Sequence, residues 1–129
     1  MEANSRQSGQ LAGQTILVVE DEYILADDVA GALSDIGATI IGPLGDLEEA
    51  MRAVSKNTLA GAALDVNIRG GTIYPLAKEL QSRGIPFIFM TGYGQHAILP
   101  EYQHVARCEK PFDVKVLVSK LAALVLACH

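Results

Sequence analysis

The sequence predicts an α/β domain, a doubly wound five-stranded parallel sheet with about five helices. From Thr15 onward, short apolar runs alternate with segments of helical periodicity, which is typical of repeated strand-helix-strand units. The apolar runs are continuous, as expected of strands that are covered on both faces. The chain has 129 residues, of which 50% are hydrophobic, and this is enough for one ordinary core.

The elements follow from these runs and from the residues that interrupt them. Strands are predicted at 15–19, 38–42, 60–66, 86–90 and 104–108. Helices are predicted at 23–36, 46–56, 73–82 and 113–127, where Asp46 and Glu49 form a capping box and glycines end the first and third helices. A further helix between Gly92 and Gln103 should be short and weak, because early glycines and Pro100 oppose it.

The ends of the chain and the apolar runs bear on its location. Residues 1–14 are mostly small or polar, lack periodicity and are predicted to form a flexible tail, which leaves 15–129 as the domain. The longest apolar run, 121–128, is far shorter than the ~18 residues that a transmembrane helix requires. We therefore expect a cytoplasmic protein with no membrane partner. Cys108 and Cys128 show no metal-ligand spacing and are expected to be reduced thiols.

The charge argues against one class of partner. The formal net charge is −5 and the pI is about 5.0, whereas phosphate backbones are bound by clustered lysine and arginine. Direct binding of nucleic acid is therefore not expected. His96, His104 and His129 have no mutual ligand spacing, and we expect each to be structural or to face solvent.

Charged and polar residues lie at or just beyond the carboxyl ends of four of the five predicted strands. They are Glu20-Asp21-Glu22, Asp65-Val66-Asn67, Thr91-Gly92 and Lys110-Pro111. Ligands of open parallel sheets bind outside the carboxyl ends of the strands, so these residues should converge on one edge. Carboxylates held close together repel each other by about 4 kcal/mol per pair at an effective dielectric constant of about 20. A hard divalent cation with oxygen ligands, Mg²⁺ above all, would relieve that repulsion.

In these motifs the chain resembles the receiver domain of two-component response regulators, the CheY-like fold, over residues 15–127. Glu20 and Asp21 match the family's metal-binding pair, and Asp65 its phosphoacceptor. Thr91 matches the conserved hydroxyl, and Lys110, followed by proline, the invariant lysine. The segment 89–94, with Pro111-Phe112, is also similar to the "FATGUY" receivers, many of which stand alone.

The resemblance implies a role for each of these residues. Asp65 would accept a phosphoryl group, with Lys110 and Thr91 donating hydrogen bonds to it. Mg²⁺ would be held by Asp21 directly, by Glu20 through water, by Asp65 and by the backbone carbonyl of Asn67. The implied partners are a sensor histidine kinase, such as one of the HWE class, and an unidentified downstream protein. The chain would then be no enzyme beyond Mg²⁺-dependent self-phosphorylation and autodephosphorylation, and would be a monomer or a weak homodimer.

Other interpretations remain open at the level of sequence. Taken alone, the acidic run at 20–22 is typical of a solvated start to a helix. A phosphorylation-independent pseudo-receiver would have the same fold. An aspartyl-phosphate phosphatase of the haloacid dehalogenase type would need an Asp-x-Asp pattern after the first strand, where this chain has Val19-Glu20-Asp21-Glu22.

The chain departs from the family pattern at the residue three positions before the lysine, where an aromatic switch residue is usual. That residue is Arg107, and the stretch from Thr91 to Lys110 is a few residues shorter than is typical. We therefore hypothesise that the segment 92–103 is mobile without a phosphoryl group and becomes ordered with one.

Overall fold

The computed structural model describes residues 9–92 and 98–128. The strands and helices in chain order are β1 (Thr15–Val19), α1 (Tyr23–Asp35), β2 (Thr39–Leu44), α2 (Leu47–Lys56), β3 (Gly61–Asp65), β4 (Asn67–Ile68), β5 (Gly71–Thr72), α3 (Tyr74–Ser82), β6 (Phe87–Thr91), β7 (Arg107–Glu109) and α4 (Val114–Ala127). A 3-10 helix, Pro100–Tyr102, precedes β7. The small strands β4 and β5 form a separate antiparallel pair.

The main sheet has five parallel strands in the order β2-β1-β3-β6-β7. From β1 the chain moves to one edge strand, β2, and then returns to the other side of β1 as β3. The strand order therefore reverses between β1 and β3, which places the ligand-binding crevice of this fold class at their carboxyl ends. The predicted doubly wound parallel sheet is confirmed.

Helices cover both faces of the sheet, which explains why its strands are continuously apolar. Alternate residues of a strand point to opposite faces. Leu17 and Val19 of β1 pack with the buried residues of α2 and α3. Ile16 and Val18, on the other face, pack with those of α1 and α4. Both faces are therefore removed from water, and this burial of apolar area is the main stabilising contribution to the fold.

The helix ends follow the local sequence signals. The side chain of Asp46 accepts a hydrogen bond of 3.1 Å from the backbone N–H of Glu49 and so caps α2, as the capping box predicts. Gly37 and Gly84 follow α1 and α3 with φ values of 102° and 69°, a region that favours glycine because it has no Cβ. Among the described residues, no helix is both long enough and apolar enough to cross a bilayer.

The region before the last strand differs from the prediction. In the described residues there are four α-helices and the short 3-10 helix, rather than about five helices. The strand predicted at 104–108 is shorter and begins at Arg107, because the preceding residues pack Tyr102 into the core. The ring of Tyr102 stacks on that of Tyr74 at 5.2 Å. Residues 93–97, where the weak helix was expected to begin, lie outside the described residues.

The predicted tail is shorter than 14 residues. Leu11 is fully buried, and its backbone N–H donates a 2.9 Å hydrogen bond to the carbonyl of Ile36. Gly9 lies so close to that carbonyl that a Cβ would not fit. Residues 9–14 therefore pack on the domain, whereas the tail predicted for residues 1–8 lies outside the described residues.

Both cysteines and one of the three histidines are described, and these three residues agree with the expectations. Cys108 is buried, Cys128 is exposed, and both are free thiols. His104 is exposed. His96 and His129 lie outside the described part of the chain.

Replacing Leu11 tests whether residues 9–14 belong to the folded domain. Leu11→Ala removes a fully buried side chain and should lower the free energy of unfolding by about 2–5 kcal/mol. Urea denaturation measures this value. The matched control is Leu126→Ala, which truncates a leucine that is 47% exposed and should cost much less. If both variants lower the free energy of unfolding by the same small amount, residues 9–14 belong to a flexible tail after all.

Candidate functional site

The strand register brings the predicted site residues to one edge of the sheet. Val19 pairs with Leu64, so Glu20 and Asp65 lie side by side at the ends of β1 and β3. Thr91 ends β6, and its carbonyl accepts a 2.7 Å hydrogen bond from the backbone N–H of Lys110 after β7. Residues far apart in sequence therefore meet because each follows a strand of the same parallel sheet.

The ammonium group of Lys110 lies among three carboxylates. Its Nζ is 2.9 Å from Oε1 of Glu20, 2.9 Å from Oε1 of Glu22 and 3.4 Å from Oδ2 of Asp65. Nζ donates hydrogen bonds to Glu22 and Asp65, whereas its contact with Glu20 is an ion pair without hydrogen-bond geometry. Lys110 therefore holds the ends of β1, β3 and β7 together by charge.

Three carboxylates form a cluster that could hold a cation. Oxygen atoms of Glu20, Asp21 and Asp65 all lie within 4.8 Å of one another. Glu20 and Asp65 are buried, and Asp21 is exposed. An all-oxygen, negatively charged donor set fits a hard divalent ion such as Mg²⁺. The predicted use of the Asn67 carbonyl stays a prediction, although the Asn67 N–H does donate a 3.3 Å bond to Oδ1 of Asp65.

The two acidic residues after β1 are not equivalent. Oε2 of Glu20 accepts a 2.9 Å hydrogen bond from the backbone N–H of Glu22, and Oε1 forms an ion pair with Lys110 but accepts no hydrogen bond. Asp21 faces solvent and borders a cavity of about 280 Å³ that also reaches Glu20 and Arg69. Its carboxylate is therefore the more accessible of the two to a metal ion.

The site is electrostatically strained without a cation. Burial, together with the neighbouring charge of Glu20, raises the pKa of Asp65 to about 7, although Lys110 and the Asn67 N–H act in the opposite direction. Burial alone would lower the pKa of Lys110, but its bonds to Glu22 and Glu20 and the charge of Asp65 raise it above its ordinary value. Lys110 therefore stays charged, whereas ionisation of Asp65 is energetically unfavourable.

An unused donor lies at the end of β6, and an open surface lies beside Lys110. The hydroxyl of Thr91 is buried and has no hydrogen-bond partner within the described part of the chain. A buried hydroxyl without a partner is costly, which favours a site for an incoming acceptor group. Gly92 and Lys110 border a cavity of about 770 Å³, and a Cβ at Gly92 would meet nothing within 4 Å.

The sequence did not predict the contact between Glu22 and Lys110. Glu22 is separated from Lys110 by 88 residues, and its side chain is 64% exposed. No apolar pattern marks such a contact. The only sequence signal was that Glu22 continues the acidic run of Glu20 and Asp21 past the end of the strand.

Arg107 lies three residues before Lys110, at the position where receivers usually have an aromatic switch residue. Its guanidinium donates to the carbonyl of Gln103, and its own carbonyl accepts a 3.2 Å bond from Nζ of Lys120. The described end of the segment 92–103 is packed, with Ile98 and Tyr102 buried. Gly94 and the rest of 93–97 lie outside the described residues, so ordering of this segment on phosphorylation stays a hypothesis.

The curated proteins to which the chain is similar are named as regulators. No protein-family model matches the sequence. The chain is 26% identical over 107 residues to the transcriptional regulatory protein PdtaR of Mycobacterium tuberculosis H37Rv, covering 80% of this chain and 52% of PdtaR. It is 25% identical over 112 residues to the phyllosphere-induced regulator PhyR of Methylorubrum extorquens AM1, covering 81% of this chain and 42% of PhyR. The chain spans about half the length of these curated relatives.

Two solved structures match over nearly their whole length. The BeF₃-activated conformation of SdrG from Pseudomonas melonis Fr1 is 33% identical, with a TM-score of 0.71 over 88% of this chain and 98% of SdrG. A response regulator receiver protein from Sinorhizobium medicae WSM419 is 20% identical, with a TM-score of 0.76 over 90% of this chain and 97% of that one, which shows the shared fold. Together with the strand-end site, these relatives identify the chain as a member of the CheY-like response regulator receiver family of two-component signalling.

Proposed function

We propose that this receiver accepts a phosphoryl group on Asp65 from a sensor histidine kinase and thereby changes its affinity for a protein partner. The main observation in support of the proposal is the set of charged and polar groups around Asp65. Its carboxylate adjoins two further acidic side chains and lies 3.4 Å from Nζ of Lys110. The unpartnered hydroxyl of Thr91 adds a second donor at the same edge of the sheet.

The proposed reaction is a transfer from a phosphohistidine. A carboxylate oxygen of Asp65 attacks phosphorus, the P–N bond to the imidazole breaks, and its electron pair leaves on that nitrogen. The product is an acyl phosphate on Asp65. Lys110 supplies a fixed positive charge to the phosphoryl oxygens, and Thr91 supplies a hydroxyl, so the chain positions and neutralises the group. The later hydrolysis, by water, would restore the carboxylate.

The acidic cluster is the proposed Mg²⁺ site. Asp21 and Asp65 would be direct ligands, Glu20 would act through water, and the Asn67 carbonyl would complete the protein's share. When bound, Mg²⁺ supplies positive charge beside the transferred group. The raised pKa of Asp65 supports this assignment, because a cation would favour the ionised, nucleophilic form.

The partners belong to the proposal as well. A kinase of the HWE class and a "FATGUY" subtype are implied by the segment at 89–94, of which residues 93 and 94 lie outside the described residues. A monomer or weak homodimer, a cytoplasmic location and the absence of nucleic-acid binding are expected with them. PdtaR and PhyR are named as regulators, and the present chain corresponds to about half of each.

Chemical labelling tests the phosphoacceptor. Incubation with acetyl phosphate and Mg²⁺ should give one acyl phosphate that is labile to hydroxylamine, seen as a single mass increase. Asp65→Asn should remove the label because the amide is not a nucleophile of this kind. EDTA should suppress labelling of the unaltered protein. Label that persists in Asp65→Asn would exclude Asp65, and complete absence of label would favour a phosphorylation-independent pseudo-receiver.

Metal titration tests the division of roles between Glu20 and Asp21. Asp21→Ala should weaken Mg²⁺ binding by more than about tenfold, and by more than Glu20→Ala does, because Asp21 is the proposed direct ligand. Isothermal titration calorimetry measures both constants. Asp28→Ala, which removes an exposed carboxylate of α1, is the control for general charge. A greater loss in Glu20→Ala would reverse the two roles.

The pH dependence of stability tests the charge state of Asp65. The folded protein holds this proton up to about pH 7, whereas the unfolded chain releases it near 3.8. The stabilising effect of the proton is therefore complete below about pH 4 and is lost as the pH rises toward 7. Asp65→Asn avoids that loss, so in EDTA its gain in melting temperature over the unaltered protein should be larger at pH 8 than at pH 5. Asp28→Asn should show no such trend, and a gain that is equal at both pH values would contradict the raised pKa.

A further inference from the structure

We propose that Glu22 is a positioning residue that competes with the phosphoryl group for Lys110 and thereby weakens the binding of that group at Asp65. The inference rests on the proposed phosphorylation of Asp65. Its starting observation is that Lys110 donates hydrogen bonds to Glu22 at 2.9 Å and to Asp65 at 3.4 Å and forms an ion pair with Glu20. A phosphoryl oxygen that approaches Nζ of Lys110 must compete with these carboxylates for it.

Burial decides which carboxylate gives way. The side chain of Glu20 is fully buried, and without Lys110 it would lose the cation that lies 2.9 Å from its Oε1, which is unfavourable for a buried charge. Asp65 carries the phosphoryl group itself, so its own contact with Lys110 is replaced rather than lost. The side chain of Glu22 is 64% exposed and can exchange Lys110 for water at low cost. Glu22 is therefore the partner that leaves.

The backbone of Glu22 is held independently of its side chain. Its N–H donates to Oε2 of Glu20, and its carbonyl accepts a 2.8 Å bond from the N–H of Ala26, where α1 begins. Glu22 is the N-cap residue of α1, yet its side chain makes no capping bond and reaches Lys110 instead. The carboxylate can therefore release Lys110 without disturbing the helix.

The expected size of the effect follows from the exposure of the pair. Ion pairs with an exposed partner contribute about 0.2–1 kcal/mol, which corresponds to a factor of about 1.5 to 5 in an equilibrium constant. Glu22→Gln keeps the shape of the side chain and removes its charge. This variant should bind a phosphoryl mimic about 1.5- to fivefold more tightly, with a matching increase in the rate of labelling by acetyl phosphate.

The experiment is a titration with beryllofluoride at saturating Mg²⁺, followed by amide NMR, on the unaltered protein, Glu22→Gln and Asp28→Asn. Asp28 is a matched control because it is an exposed acidic residue of α1 that borders the same cavity as Lys110. Only Glu22→Gln should tighten binding by the stated factor. The ¹³Cε and ¹⁵Nζ chemical shifts of Lys110 in the free protein should change in Glu22→Gln and stay unchanged in Asp28→Asn.

The outcomes separate this inference from the proposed function. Equal tightening in both variants would mean a general charge effect, and weaker binding in Glu22→Gln would mean that Glu22 aligns Lys110; either result overturns the competition. Unchanged binding with unchanged Lys110 shifts overturns it too. If the unaltered protein is labelled while Glu22→Gln behaves identically to it, the competition alone fails. If the unaltered protein neither binds beryllofluoride nor is labelled, the proposed function fails, and the competition fails with it.

Discussion

Two buried carboxylates, Glu20 and Asp65, lie side by side at the edge of the sheet, with the ammonium of Lys110 between them. Like charges in such a place repel, and burial adds a desolvation cost. The arrangement is tolerable only because the parallel strands hold the lysine at hydrogen-bond distance. Packing on both faces of the sheet fixes the positions of the strand ends. The core therefore keeps the carboxylates together although their mutual repulsion is unfavourable.

The main sheet was predictable because its strands are long apolar runs in a regular alternation with helices. The predicted fifth strand is displaced because Tyr102, a lone aromatic residue in a polar stretch, packs against Tyr74 and draws the preceding residues into a 3-10 helix. The hairpin of β4 and β5 went unpredicted because strands of two residues carry no periodicity. For the same reason a single leucine, Leu11, gave no sign of its burial.

Most of the site was predictable because the chemistry of this fold class lies at the ends of strands, which the sequence locates. Thr91 and Lys110 were found in this way, and the register explains their proximity. The contact of Glu22 with Lys110 could not be found, because it depends on the direction in which an exposed side chain turns after its strand has ended. Such a contact is a tertiary property and leaves no periodic trace.

Charge balance links these features. Without a cation, Lys110 is the single positive group in contact with Glu20, Glu22 and Asp65 among the described residues, so it alone balances three negative charges. If a divalent ion is held by the acidic cluster, it would share with Lys110 the compensation of the charges on Glu20 and Asp65, whereas Glu22 lies outside that cluster. Binding of the metal and binding of the phosphoryl oxygens by Lys110 would then affect each other, because Glu20 and Asp65 contact both cations. Glu22, which touches Lys110 but lies outside the cluster, sets how readily Lys110 is released.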